Sequence, residues 1–273
     1  MSIFGKIFKY VIKKIRYNRL VPVYIPVESR KCLFKGKSAI VSGGTSGIGY
    51  SIANALSNSG CSVYLLGRDR NKLDKISKEL GCKYKVIDVR NIEALKIVVN
   101  EIFDESSIDI LVNSAGIAST HSFFSVEEEE FDSVMDTNVK ATFFLSQFAA
   151  RCMKERKIKG HILNLASASS LRPVQTAYIL SKHIVKDLTE GMAKSFIPYG
   201  IIVNAIAPGP TATPMLLPES KNIDLTNEYN PLGRYATVEE ISNLALFMLS
   251  DMGNYIVGST FYITGGGGIV DRF

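Results

Sequence analysis

From Ser38 to Ile263 the chain alternates short apolar runs with longer stretches whose apolar residues recur every three or four positions. The short runs are Ser38 to Ser42, Ser62 to Leu66, Tyr84 to Ile87, Ile108 to Val112, His161 to Ala166, Ile201 to Ile206 and Thr260 to Ile263. Their length and apolar content suit buried strands, and the periodic stretches between them suit helices. Strand and helix in regular alternation predict an α/β fold, a doubly wound parallel sheet of about seven strands with helices on both faces and right-handed crossovers. Ligands of such sheets bind beyond the carboxyl ends of the strands. The chemistry is therefore expected where each strand ends.

Ahead of this pattern stands a different one. Ile3, Phe4, Ile7, Phe8, Val11, Ile12 and Ile15 recur at helical spacing with lysines on the other flank, which predicts a basic amphipathic helix. Pro22 and Pro26 then enforce an extended connector. The division is an arm over residues 1–34 and a single domain over 35–273. Residues 1–30 hold seven basic residues and one acidic residue, so of the 32 basic and 26 acidic residues the rest of the chain keeps 25 of each sign. A neutral body argues against a broad nucleic-acid surface. The arm, within residues 1–20, is expected either to lie on an anionic membrane surface or partner protein, or to pack on its own body or a sister subunit. The apolar runs there are too short to span a bilayer.

Four cysteines at irregular spacing, Cys32, Cys61, Cys82 and Cys152, read as reduced thiols of a cytoplasmic protein. His121, His161 and His183 lack metal-ligand spacing, so the expected mechanism uses no metal.

The first strand runs into Ser42-Gly43-Gly44-Thr45-Ser46-Gly47-Ile48-Gly49 and then a helix. Gly43 allows a tight turn, while Gly47 and Gly49 let N–H groups at the helix start approach a pyrophosphate. A glycine loop that follows a strand and opens a helix points to a dinucleotide. The second strand ends Leu66-Gly67-Arg68-Asp69. An NAD site usually has an acidic residue there for the ribose 2′-hydroxyl, whereas the Arg68 guanidinium suits a 2′-phosphate, which favours NADP(H) over NAD(H). Asp69 is expected to cap the helix starting at Arg70. Asp88, followed by Val89, either reaches an adenine amine or caps the next helix. The fourth strand ends in the small residues Asn113-Ser114-Ala115-Gly116, which leave room for a cofactor. Asn138 is polar within an apolar helix, and Ser167 follows the fifth strand in a turn with Ser169 and Ser170. Tyr178 and Lys182 stand four residues apart on one helix face. An adjacent ammonium favours phenolate, and each pKa unit toward neutrality corresponds to about 1.4 kcal/mol, so the pair suits acid catalysis.

In this order these residues resemble the short-chain dehydrogenase/reductase family along about residues 35 to 268, with Asn204-Ala205-Ile206-Ala207-Pro208-Gly209 as a further match. Pro231-Leu232-Gly233-Arg234 and Gly265-Gly266-Gly267 look like the family's 3-oxoacyl carrier-protein reductase branch. The resemblance implies a Rossmann-type fold. It implies a nicotinamide dinucleotide held by Gly43, Thr45, Ser46, Gly47, Ile48, Gly49, Arg68, Asp88, Val89, Asn113, Ala115, Gly116, Pro208, Gly209, Thr211 and Thr213, together with Tyr178 and Lys182. It also implies a catalytic tetrad. Tyr178 exchanges the proton, Lys182 lowers the tyrosine pKa and holds the nicotinamide ribose, and Ser167 polarises the carbonyl. Asn138 bends its helix and holds a water that relays protons to Lys182. Assembly into a dimer or tetramer on two long helices near residues 125 to 157 and 176 to 198 is implied as well.

Three features depart from the family pattern. Ser114 replaces a second asparagine, and the arm has no counterpart. Ser167 lies eleven residues before Tyr178, two fewer than usual, which leaves Ser167 and Ser169 open, with Ser167 favoured because it ends the strand. The substrate, a 3-oxoacyl thioester, keto sugar or small ketone, is expected under a lid from Thr211 to Tyr229. Lys154 to Lys157 either meets an acidic carrier protein or is a solvated helix end. The leading reading is an NADP(H)-dependent carbonyl reductase. Its alternatives are an NAD-dependent alcohol dehydrogenase on the same fold and a non-catalytic scaffold recruited through the arm.

Overall fold

A computed structural model describes residues 32–119, 121–217 and 225–270. The amphipathic arm and the middle of the expected lid lie outside the described residues. Strands β1 (Ser38–Ser42), β2 (Ser62–Gly67), β3 (Lys83–Val86), β4 (Ile110–Asn113), β5 (His161–Leu165), β6 (Ile202–Pro208) and β7 (Thr260–Ile263) form one sheet. Its order is β3-β2-β1-β4-β5-β6-β7, and every pair is parallel. The helices are α1 (Gly47–Asn58), α2 (Arg70–Leu80), α3 (Ile92–Glu105), α4 (Glu128–Met135), α5 (Ala141–Glu155), α6 (Ala177–Phe196) and α7 (Val238–Leu249). None among the described residues is long and apolar enough to cross a membrane.

Strand parity sorts the core into two layers. Ile40, Tyr64, Leu66 and Leu111 enter one face and pack with Leu95 and Phe103 of α3, Leu145 and Phe148 of α5, and Met192 of α6. Their chain neighbours Ala39, Val41, Val63, Leu65, Ile110 and Val112 enter the other, against Ile52 and Leu56 of α1, Leu73 of α2, and Ile241 and Leu246 of α7. The chain leaves β1 for β2 on one side and later returns to place β4 on the other. That reversal opens a crevice at the carboxyl ends of β1 and β4.

Short polar side chains start the helices where the sequence places them. Asp69 accepts from Lys72 N–H at the start of α2, and Thr176 accepts from Ile179 N–H at the start of α6. The α3 cap is Asn91, which accepts from Ala94 N–H, and not Asp88. At α7, Thr237 and Glu240 form a reciprocal capping box, and Arg234 forks onto the same Glu240 carboxylate at 2.7 and 2.8 Å. The single long helix expected near residues 125 to 157 is instead α4 and α5 joined by a π-helical turn, Asp136–Lys140. Lys154 to Lys157 fastens the end of α5: Arg156 pairs with Asp104, and Lys154 lies 4.2 Å from the centre of the Tyr199 ring.

Within the first layer runs a buried polar network. Asn113 Nδ2 donates to Ser146 Oγ and to Asn164 Oδ1, both at 2.8 Å, and Asn164 Nδ2 donates to Thr189 Oγ1 at 3.0 Å. It ties β4 and β5 to α5 and α6. Removing the central amide leaves buried partners unsatisfied, so Asn164→Ala is expected to cost about 3 kcal/mol in urea unfolding. Asn58→Ala, which removes an exposed bond to Asn54, should stay within about 0.5 kcal/mol of the parent.

Candidate active site

The glycine loop is shaped first by its own packing. Gly43 has a φ of 67°, and a Cβ there would lie 2.7 Å from Ala115 Cα, so β1 can turn against the end of β4 only with glycine. A Cβ on Gly49 would stand 2.3 Å from the Gly43 carbonyl oxygen. Gly49 is thus required for the loop to close on itself, before any ligand is considered. Ser42 completes the joint by accepting from the N–H groups of Ser114 and Ala115 at 3.2 and 3.3 Å. The helix start that results, Gly47 to Gly49, lines a cavity of about 400 Å³ at the switch point. First-turn N–H groups have no partner within the helix and favour negative charge.

Across the cavity lie the β5 end and α6. Ser167 caps a short 3-10 turn, Ala168–Leu171; its Oγ accepts from Ser169 N–H and donates to Ser169 Oγ, both at 3.1 Å. Ser167 and Tyr178 line the same cavity. Lys182 Nζ is buried, 5.6 Å from the centre of the Tyr178 ring, and donates to Leu165 O at 2.7 Å. The i, i+4 spacing on α6 therefore presents phenol and ammonium together to the serine.

Burial dominates the titration of both groups. It holds the Lys182 ammonium down at about 8 and raises Tyr178. The expected lowering of Tyr178 by Lys182 is absent from the chain by itself, which keeps the phenol protonated at neutral pH.

Asn138 sits in the π-helical turn with its amide engaged. Its Oδ1 accepts from Ile117 N–H at 2.9 Å, and its Nδ2 donates to Ile117 O and Ser181 Oγ at 3.0 Å. The clamp fixes the loop after β4, where a Cβ on Gly116 would lie 3.3 Å from Asn138 Oδ1 and 3.7 Å from Lys182 Nζ. Gly116 thereby leaves open the space in front of the lysine.

Gly43, Thr45, Ser46, Gly47, Ile48, Gly49, Ala115, Gly116, Ser167, Tyr178, Lys182, Pro208, Gly209, Thr211 and Thr213 all line this one cavity. Asn113 does not: it shares strand parity with Leu111 and turns into the buried network. Val89 is packed in the core. Asp88 lies apart from the cavity lining and is gripped by Arg90 at 2.6 Å, which holds its carboxyl below the usual range, with Arg68 adding to the effect. Arg68 is exposed at the end of β2, and its guanidinium makes no hydrogen bond or ion pair among the described residues. Of the expected lid, Met215 and Leu216 line the cavity, and Thr213 approaches Gly47. Pro231 to Arg234 lies off the cavity and is docked on the β7 end through Leu232 N–H to Gly265 O.

Sequence reasoning missed two contributors. Ser42 was readable as a hydroxyl ending the first strand beside the glycine turn. Arg172, also in the cavity lining, was readable as the one charge between Ser167 and Tyr178.

Comparison with known proteins identifies the family. Residues 43–267 match the family model described as enoyl-(acyl carrier protein) reductase. A 3α-hydroxysteroid dehydrogenase of Mediterraneibacter gnavus is 36% identical over 245 residues, covering 85% of this chain and 97% of that protein. The 3-oxoacyl-[acyl-carrier-protein] reductase of Haemophilus influenzae is 35% identical over 240 residues, covering 85% and 98%. Among solved structures, a variant of actinorhodin polyketide ketoreductase with NADPH superposes with a TM-score of 0.78 at 26% identity, covering 86% and 98%. The chain belongs to the short-chain dehydrogenase/reductase family. It is an oxidoreductase acting on CH–OH groups and the corresponding carbonyls.

The buried lysine gives a stability test with a definite sign. Folded Lys182 binds fewer protons than unfolded lysine between about pH 8 and 10.5, so its burial weakens the fold below that window and the loss is relieved as pH rises through it. The interval is worth about 3 kcal/mol, less about 1 kcal/mol for the bond to Leu165 O. Lys182→Met is therefore expected to be about 2 kcal/mol more stable than the parent at pH 7 in urea unfolding, with the advantage fading by pH 10.5. A less stable variant at pH 7 contradicts this.

Proposed function

We propose that the protein is an NADP(H)-dependent carbonyl reductase, able to run in reverse as a secondary-alcohol dehydrogenase. The observation that carries this reading is that Ser167, Tyr178 and Lys182 face the same cavity as the glycine loop. The glycine loop, the open space beside Gly116 and the exposed Arg68, which has no ion-pair partner among the described residues, fit a nicotinamide dinucleotide bearing a 2′-phosphate. Gly47 to Gly49 would hold its pyrophosphate, Arg68 the 2′-phosphate, and Thr211 and Thr213 the nicotinamide end. When bound, the cofactor supplies or accepts the hydride.

The chain's own residues handle everything else. Ser167 donates toward the substrate carbonyl oxygen and stabilises negative charge as it develops. Tyr178, neutral at physiological pH, gives that oxygen a proton. Lys182, a cation below about pH 8, holds ribose hydroxyls and favours the phenolate left behind. Asn138 keeps the loop after β4 in place. We propose that Ser167, not Ser169, acts on substrate: both line the cavity, and Ser167 is the one that follows the β5 end directly, with its Oγ held in place by Ser169.

The substrate class extends to 3-oxoacyl thioesters, keto sugars and small ketones. The relatives' range, from a hydroxysteroid to an acyl carrier-protein thioester, suits one carbonyl chemistry with differing pockets. An apolar groove on α5 and α6, with Phe143, Ile184, Leu188 and Phe196, supports assembly as a homo-dimer or tetramer. Unpaired cysteines suit the reducing cytoplasm, and a contact of the basic arm with a membrane or protein rests on its sequence alone.

NADPH and NADH binding, followed by NADPH oxidation with ketones, keto sugars and acetoacetyl thioesters, tests the reading. Arg68→Ala should weaken NADPH about tenfold or more and leave NADH unchanged. Tyr178→Phe should reduce turnover by about 10² or more with cofactor binding intact. Ser167→Ala should lower kcat by about 10², and Ser169→Ala should not. Failure of both cofactors to bind the folded protein contradicts the enzyme reading.

A further inference from the structure

We infer that Arg172 is a specificity-determining residue, and that it directs the enzyme to substrates bearing a carboxylate or phosphate at the end remote from the reacting carbonyl. The inference rests on the reductase reading of the cavity and names its substrate class. Arg172 follows the 3-10 turn that Ser167 begins, and its backbone is held at both ends. Its N–H donates to Ser169 O at 3.1 Å, and its C=O accepts from His183 Nε2 of α6 at 2.9 Å. Pro173 comes next and restricts Arg172 to the extended conformation it adopts, φ −111° and ψ 156°. The base of the side chain is therefore fixed between the serine turn and the helix that carries Tyr178.

The guanidinium, in contrast, is exposed and has no hydrogen bond or ion pair with any described residue. Among the described residues that line the cavity, Arg172 and Lys182 are the only charged ones, and none is acidic. Lys182 is buried and committed to Leu165 O. Among the described residues Arg172 is thus the free cation on the substrate side, opposite the glycine loop that suits the cofactor's pyrophosphate. Met215 and Leu216 line the same cavity and offer apolar contact to the carbon body between carbonyl and anion. A planar guanidinium binds carboxylate or phosphate through two parallel hydrogen bonds, and a neutral isostere forfeits the charge-assisted part.

Dead-end ligands read this preference without any need to know the true substrate. Hexanoate, hexanamide and pentyl phosphate would be titrated by calorimetry into the full-length protein, with and without saturating NADPH. We expect hexanoate to bind at least about tenfold more tightly than hexanamide. Arg172→Ala should erase that difference, leaving hexanamide and NADPH affinities in place, and Arg172→Lys should retain part of it. Tighter binding of pentyl phosphate than hexanoate identifies phosphate as the preferred anion, and the reverse order identifies carboxylate. Equal affinity for acid and amide, an equal loss of both in Arg172→Ala, or no binding of either anion overturns the inference. If NADPH fails to bind, the reductase reading falls, while the titration of the cofactor-free protein still decides the role of Arg172.

Discussion

The hydrogen bond from Lys182 Nζ to Leu165 O is the constraint on which the rest of the site depends. It joins α6 to the end of β5, and so sets the distance between the face that carries Tyr178 and the turn that begins at Ser167. The ammonium is desolvated to make this contact, which is why its proton is held loosely, at about 8. A charge buried at the carboxyl end of a strand, facing a cavity and without an ion-pair partner among the described residues, is a local loss of stability. Proteins keep such losses mainly where chemistry requires them.

The opposite wall is built from steric necessity. Gly43 and Gly49 are required because the loop touches the β4 segment and itself, and Ser42 fastens β1 to the residues after β4. Asn138 fastens the same segment from the other side, through both backbone groups of Ile117. The open volume between the two walls is thus held by rigid contacts that belong to the fold, so the cavity is ready-made for a ligand.

Most of this was legible in the sequence because parallel strands buried on both faces read as continuous apolar runs. All seven strands fall where those runs predict, with ends shifted by one or two residues, as at β4, expected from Ile108 and found from Ile110. The π-helical turn around Asn138 was foreshadowed only by the family resemblance, which implies a bend there, since Asp136 to Lys140 has no composition that separates it from the flanking α-helix. Asn113 could have been placed from parity alone. It stands two residues after Leu111, and therefore faces the helix layer and not the crevice. The role of Asp88 was obscured by Arg90, because an ion pair two residues apart leaves no periodic trace. The sign of the Tyr178 shift was missed for a related reason: proximity in sequence reports a neighbouring charge but not the burial that outweighs it.

Lys182 is buried as a loosely protonated cation beside Tyr178. A pH titration of protein carrying ¹³C-labelled lysine side chains, followed by NMR at the carbon next to Nζ, tests it most directly. The account predicts one resonance that titrates near pH 8, well below ordinary lysines, and that vanishes from the Lys182→Met spectrum. If every lysine resonance titrates above pH 10, Lys182 is solvated, and the account of the site is wrong.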